Sequence, residues 1–221
     1  MCIRDRDPSR LVGIHFFNPV AMMPLVEVVA GEKTSAEAAQ KAAAFVRRID
    51  KLPLPVKDAP GFLVNAVLGP YMNEAMKCVD EGIAPEIIDA ALVAFGMPMG
   101  PIELADTVGL DVAVHAGKQL VADAVPPKKL VELFEAGKLG KKSGQGFYTW
   151  VDGKAQKVGG GDTANPELAQ RMLKPLLDAT QRLVKDGVVA DAELADAGVI
   201  FGTGFAPFTG GPLNYRKATA E

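Results

Sequence analysis

The sequence predicts a mainly α-helical chain with a small β-hairpin near its N-terminal end and a helical unit that occurs twice. Three observations lead there. Two apolar, strand-forming runs, residues 11–17 (LVGIHFF) and 25–30 (LVEVVA), lie close together, and Pro19 stops the first. Nearly everything after residue 60 reads as helices punctuated by Gly and Pro. The punctuation then repeats: the pairs Gly82/Gly187, Asp89/Asp196 and Pro101/Pro212 are separated by 105, 107 and 111 residues. Such near-constant offsets point to an internal duplication; the alternative is chance recurrence of a common helix–Gly–helix–Gly-Pro order.

Each element has its own warrant. Residues 18–24 have a length that suits a hairpin-like return. Thr34-Ser35-Ala36-Glu37 fits a capping box, and an Ala-rich helix follows to about Ile49. Residues 52–56 are extended but interrupted by Pro53 and Pro55, so at best an edge strand. Pro60 suits a first helical residue and Gly82 a stop, predicting a helix over 61–81. A second helix covers 85–95 and closes at Gly96. Pro101 opens a third region, broken near Gly109 and running to about Asp123, and a short helix covers 127–136. Residues 140–148 (GKKSGQGFY) form a Gly-rich turn leading into a strand-like end. Residues 158–165 (VGGGDTAN) are the linker candidate, before a long helix over 166–185 ended by Gly187.

Composition narrows the function. The 221 residues are 48% apolar and 23% charged, ordinary for one or two domains in solution. A net charge of −3 lacks the basic face that nucleic acid requires. No apolar run approaches the ~18 residues of a transmembrane span. Residues 1–6 are charged, lack the apolar stretch of a signal peptide and read as a non-native start. Cys2 and Cys78 make neither a disulfide framework nor a metal spacing, which favours a reducing compartment. No nucleophile elbow, zinc spacing or P-loop is present, and Gly159-Gly160-Gly161 lacks the strand before it and the helix opening after it that a nucleotide loop needs.

The candidates for chemistry are few. Of the two histidines, His15 lies near the end of a strand, where α/β sheets bind ligands; His115 lies in a helical stretch and reads as a surface or packed side chain. With Phe17 opposite Leu25, residues whose numbers sum to 42 face one another, so His15 lies opposite Glu27. Facing Cβ atoms are about 4.5–5.5 Å apart, close enough for the carboxylate to fix the imidazole tautomer and balance its charge. Glu27 is the only charge in its run, and an acid in an apolar strand is costly unless paired or exposed. An outward-facing Glu27 beside a satisfied core histidine is the competing arrangement. Asn65 shares a helix face with Phe62 and Gly69 and needs hydrogen-bond partners, either a substrate oxygen or a neighbouring helix. Lys141 and Lys142 suit either a phosphate or a solvated turn.

These residues carry a resemblance. His15-Phe16-Phe17-Asn18-Pro19-Val20 followed by Leu25-Val26-Glu27-Val28-Val29 resembles the signature of the 3-hydroxyacyl-CoA dehydrogenases. So do Lys57-Asp58-Ala59-Pro60-Gly61-Phe62-Leu63-Val64-Asn65, the stretch from Gly96-Met97-Pro98-Met99-Gly100-Pro101 to Val108-Gly109-Leu110-Asp111, and Gly140-Lys141-Lys142-Ser143-Gly144-Gln145-Gly146-Phe147-Tyr148. The four come in the family's order and spacing. The remainder, with Gly204-Phe205-Ala206-Pro207-Phe208 and Gly210-Gly211-Pro212, resembles the second C-terminal repeat of the multifunctional fatty-acid oxidation proteins. The resemblance implies a remnant hairpin of a Rossmann-type NAD-binding sheet over 1–57, then two tandem helical C-terminal domains, 58–157 and a partial copy over 158–221. It implies His15 as the base toward the 3-hydroxyl while hydride passes to NAD, Glu27 as its orienter, Asn65 as the substrate-positioning residue and Asn18 on the cofactor side. The substrate it implies is an acyl-CoA, the partner of the parent complex a thiolase subunit, and the setting a bacterial cytoplasm, with a mitochondrion or a peroxisome as the alternatives, and no metal.

Two departures qualify it. The family's Gly-rich βαβ unit, and a serine used beside the His–Glu pair, do not precede His15. The chain therefore reads as a piece of a longer enzyme, inactive alone, with its hairpin left without neighbours and prone to association. The competing readings are a non-catalytic helical assembly module, favoured by the missing cofactor half, and a one-activity 3-hydroxybutyryl-CoA dehydrogenase, against which the second repeat is taken to argue.

Overall fold

The computed structural model describes residues 7–120, 125–158 and 165–220; the first six residues, the reach toward Asp123 and most of the linker candidate lie outside them. The described chain is mainly helical with two small sheets. Its elements are β1 (Gly13–Phe16), β2 (Leu25–Ala30), α1 (Ala36–Arg48), β3 (Leu52–Lys57), α2 (Val64–Asp80), α3 (Pro85–Phe95), α4 (Pro101–Val108), α5 (Leu110–Leu120), α6 (Lys128–Glu135), β4 (Thr149–Val151), β5 (Lys154–Gln156), α7 (Pro166–Lys185), α8 (Ala192–Thr203) and α9 (Pro212–Thr219). None of these helices is long and apolar enough to cross a membrane. Two compact units share the chain: Met1–Ala66 with Ala179–Glu221, and Val67–Asp178.

In the first unit the expected hairpin forms with the expected register: β1 pairs antiparallel with β2, Gly13 opposite Val29 and His15 opposite Glu27. The hairpin is not left without neighbours, however. β3 pairs parallel with β2, from Leu25 opposite Leu52 to Ala30 opposite Lys57, with α1 as the crossover. β2 is thus the central strand of three, and Leu25 through Val29 are all buried. A strand that is apolar at every position but Glu27 suits burial on both faces. Val26 and Val28 pack on Ala42 and Val46 of α1, with Val12 and Phe16 beside them. β3 sits at the edge, where its prolines cost no ladder bond. The cap of α1 falls one residue later than the capping box placed it. Ser35 accepts from Ala38 N, while Thr34 Oγ1 accepts from Gly31 N and donates to Leu11 O, tying the turn back to the entry of β1.

α8 covers the other side of this sheet. A Cβ at Gly198 would lie 2.6 Å from Leu54 and Leu63, and one at Gly202 would meet Val64 and Leu25. Gly198 and Gly202 are one helical turn apart, so a single bare stripe lets the helix close onto β2, β3 and the start of α2.

In the second unit, buried carboxylates organise the helix ends. Asp89 of α3 accepts from Ile102 N (2.8 Å) and Glu103 N (3.0 Å), the first-turn donors of α4. The residue in the N-cap position there is Gly100, which has no side chain to cap with, and a Cβ on it would strike Asp89. In the first unit Asp196 of α8 does the same for α9, accepting from Leu213 N (2.7 Å) and Asn214 N (3.1 Å) beside Gly211. Chance recurrence of Gly and Pro would not reproduce these tertiary hydrogen bonds. Asp106 of α4 accepts from Phe147 N, Tyr148 N and Trp150 Nε1, so the Gly-rich turn is wrapped around a carboxylate. Lys142 pairs with Asp111 and Lys141 lies 5.5 Å over the Trp150 ring. Both lysines of the turn therefore have partners within the fold. Cys78 is buried and its thiol is pushed up by that burial, which leaves it unreactive.

Candidate active site

His15 Nδ1 lies 2.7 Å from Glu27 Oε2. A carboxylate only accepts, so Nδ1 donates to it, and in the neutral imidazole the lone pair is then on Nε2. Glu27 has no solvent exposure while the His15 side chain is 32% exposed. The imidazole can therefore reach a ligand, whereas the carboxylate can reach only its protein partners. The ring is flanked by Phe17 (centroids 4.8 Å, edge-on) and Phe62 (5.5 Å), which restrict its rotation. Phe62 also lines a cavity of about 480 Å³ with Leu11, Gly13, Val29, Lys33 and Asp58.

The second oxygen of Glu27 explains a departure from the expected helix. Oε1 accepts from Leu63 N (2.9 Å) and Val64 N (3.1 Å). α2 begins at Val64, not at Gly61, because residues 60–63 form a turn in which Gly61 (φ 76°) and Phe62 (φ 50°) are left-handed. That turn aims two amides at the carboxylate instead of spending them in a helix. Hydrogen bonds to a charged group contribute about 1.5–3 kcal/mol each; three of them offset the burial of a charge that is prohibitive when unpaired. α8 presses on the side chains of the same two residues, Leu63 and Val64.

Asn65 is the second residue of α2, directly after the amides that hold Glu27, and its side chain is exposed. It does not share a helix face with Phe62, which precedes the helix, and no hydrogen bond joins it to His15 among the described residues. Asn18 is exposed just beyond β1, next to a cis peptide bond to Pro19. His115 is exposed, bonded through Nδ1 to the Asp111 carbonyl (2.6 Å) and apart from the pair. No group of three or more His, Cys, Asp or Glu comes together among the described residues. The Leu63 and Val64 amides were missed from sequence, since a backbone donor has no letter of its own; Gly61 after Pro60 was the one available sign of a turn.

A dinucleotide needs free backbone N–H groups at a glycine-rich turn and a helix N-terminus. In the strand-to-helix turn from β2 to α1, Gly31 N is taken by Thr34, Ser35 N by the Ser9 carbonyl and Ala38 N by Ser35. The His15–Glu27 pair has the geometry of a proton acceptor held by a carboxylate.

A parallel βαβ piece, a strand-end histidine tied to a buried carboxylate and a mainly helical remainder mark the class of protein this chain presents. Comparison with known proteins agrees. The family model described as 3-hydroxyacyl-CoA dehydrogenase, C-terminal domain, matches residues 61–150, and that described as 3-hydroxyacyl-CoA dehydrogenase, NAD binding domain, matches residues 3–59. The chain belongs to the 3-hydroxyacyl-CoA dehydrogenase family. It is 40% identical to the fatty acid oxidation complex subunit alpha of Pseudomonas savastanoi, over 94% of this chain and 32% of that protein, so it spans about a third of the curated relatives it matches. The structure of 3-hydroxybutyryl-CoA dehydrogenase from Escherichia coli K12 matches with a TM-score of 0.80 at 26% identity, over 98% of this chain and 65% of that one. The dehydrogenase part of multifunctional enzyme 1 from C. elegans matches with a TM-score of 0.64 at 30% identity, over 90% and 50%. The E. coli match takes in residues on both sides of residue 158.

Proposed function

We propose that this chain carries the proton-transfer centre of an NAD-dependent oxidation of (3S)-3-hydroxyacyl-CoA to 3-oxoacyl-CoA in fatty-acid β-oxidation. The observation that carries the reading is the fully buried Glu27, one oxygen on His15 Nδ1 and the other on two backbone amides. His15 Nε2 takes the proton of the 3-hydroxyl as the C3–H bond breaks; Glu27 holds the tautomer that makes this possible and stabilises the imidazolium that results. NAD, when bound, would accept the hydride. Asn65 would hold the substrate oxygen beside His15, and Asn18 would stand on the cofactor side. The domain division 1–57, 58–157 and 158–221 belongs to the same proposal.

The chain is proposed to be the dehydrogenase portion of a longer multifunctional polypeptide, acting with a thiolase subunit in a bacterial cytoplasm. The 40% identity to complex alpha subunits and the third of their length that is matched support it. The one-activity alternative is supported by the E. coli match over nearly the whole chain.

The chain alone is expected to show no turnover. In the full-length gene product, NADH oxidation by acetoacetyl-CoA should fall on the order of 10²–10⁴-fold in His15→Gln, the range of a general base, with KM little changed. A loss under about threefold would remove His15 from the chemistry.

A further inference from the structure

The loop between β1 and β2 has an anchor that the His–Glu pair does not use. Residues 19–23 make a single turn in which Met22 N and Met23 N both donate to Pro19 O. A lone turn leaves its last carbonyls without partners within it. Three of them converge on one ammonium: Lys51 Nζ donates to Val20 O (2.6 Å) and Met23 O (2.8 Å) and lies 3.5 Å from Ala21 O. Three donors on one nitrogen match three carbonyls. The main chain of Lys51 is itself held, its N–H on Val46 O at the end of α1, and the next residue donates from Leu52 N to Pro24 O at the entry of β2. Lys51 thus clamps the loop that carries Phe17 and Asn18 to the rigid α1–β3 junction.

We infer that Lys51 is a positioning residue for His15, acting through this loop. The proposal rests on the reading of His15 as the base. The loop places the Phe17 ring edge-on to the imidazole at 4.8 Å and sets where Asn18 stands, without touching the Glu27 contacts. A backbone carbonyl cluster selects a cation and a long stem, so arginine can replace lysine and methionine, of similar reach but without donors, cannot.

The test is NMR on the labelled chain as wild type, Lys51→Met and Lys51→Arg. In Lys51→Met, amide exchange at Met22 and Met23 is expected to rise at least about tenfold, a local opening. The His15 ring resonances shift as Phe17 leaves, Val26, Val28, Leu63 and Val64 stay protected, and Lys51→Arg restores the wild-type pattern. Unchanged Met22, Met23 and His15 signals in Lys51→Met overturn the proposal, as does a uniform loss of protection across the sheet, which would make Lys51 a residue of stability alone. None of these signals depends on turnover. Failure of the His15 reading shows separately, in the activity of His15→Gln.

Discussion

At the scale of the residue, the site turns on which nitrogen of His15 bears the proton. Glu27 decides it, because both of its oxygens only accept and one lies 2.7 Å from Nδ1. Glu27→Gln keeps the size and can still accept from Leu63 N and Val64 N through its carbonyl oxygen. It then presents an NH2 group to Nδ1, which must accept and lose its proton to Nε2. The imidazole remains in place in the wrong tautomer. The expected outcome is a loss of activity on the order of 10²–10⁴-fold in the full-length gene product, with the His15 ring nitrogens exchanging their protonated and unprotonated 15N shifts. Retention of the wild-type tautomer in this variant would show that another group orients His15. Asn65 differs in kind: exposed and outside the Glu27 cluster, it is more open to a ligand than to the fold.

At the scale of the element, the duplicated carboxylate cap is the recurring device. A Gly-Pro start gives a helix the right entry but no capping side chain, and an aspartate from the preceding helix supplies it across the turn. The two copies differ in what else they hold. Asp89 also accepts from the Tyr148 hydroxyl (2.8 Å) and lies 3.7 Å from Lys157, whereas Asp196 has the two backbone amides. Asp196→Ala should therefore cost about 1–2 kcal/mol, the value of a lost cap. Asp89→Ala should cost about 3–5 kcal/mol, that of a broken buried charged cluster. Urea unfolding read separately for each unit checks the order, and equal losses would mean that Tyr148 and Lys157 add nothing.

At the scale of the whole molecule, three buried aspartates favour the acid side while the less buried Asp7, Glu81 and Asp111 are shifted the other way. Burial pushes the Asp89 carboxyl up from 3.8 to about 6, against the opposing pull of Tyr148, the two amides and Lys157. Burial likewise raises Asp106 and Asp196, against their own hydrogen bonds. Between 3.8 and about 6 the folded chain therefore binds a proton at Asp89 that the unfolded chain has released. The contribution is fully present below 3.8 and is lost as pH rises through about 6. At 1.36 kcal/mol per pH unit the difference amounts to about 3 kcal/mol. Relative to Asp89→Asn, the wild type should lose about that much stability between pH 4 and pH 7, measured by denaturant melts at each pH. A stability difference independent of pH would place the proton elsewhere.

Periodicity and punctuation were enough for most of the helical part and for the pairing of His15 with Glu27. Strand alternation has a period of two, so once Phe17 faces Leu25 every other partner follows. The helix starts at Pro85, Pro101 and Pro166 and the stop at Gly96 were legible because Pro fixes φ and Gly relieves it locally. What the tertiary structure decided was where long-range partners override such local signals. Pro60 reads as a first helical residue, yet Glu27, 36 and 37 residues away in sequence, takes the Leu63 and Val64 amides and delays the helix. The hairpin was expected to stand alone, yet a parallel third strand covers it, since parallel pairing links segments that no local pattern connects. Nothing in the sequence singles out Lys51; the fold alone brings three carbonyls from about thirty residues earlier onto its ammonium. Side-chain letters and their spacing determine which groups are available and how each segment is biased; only the closed chain determines which backbone donors and acceptors they meet.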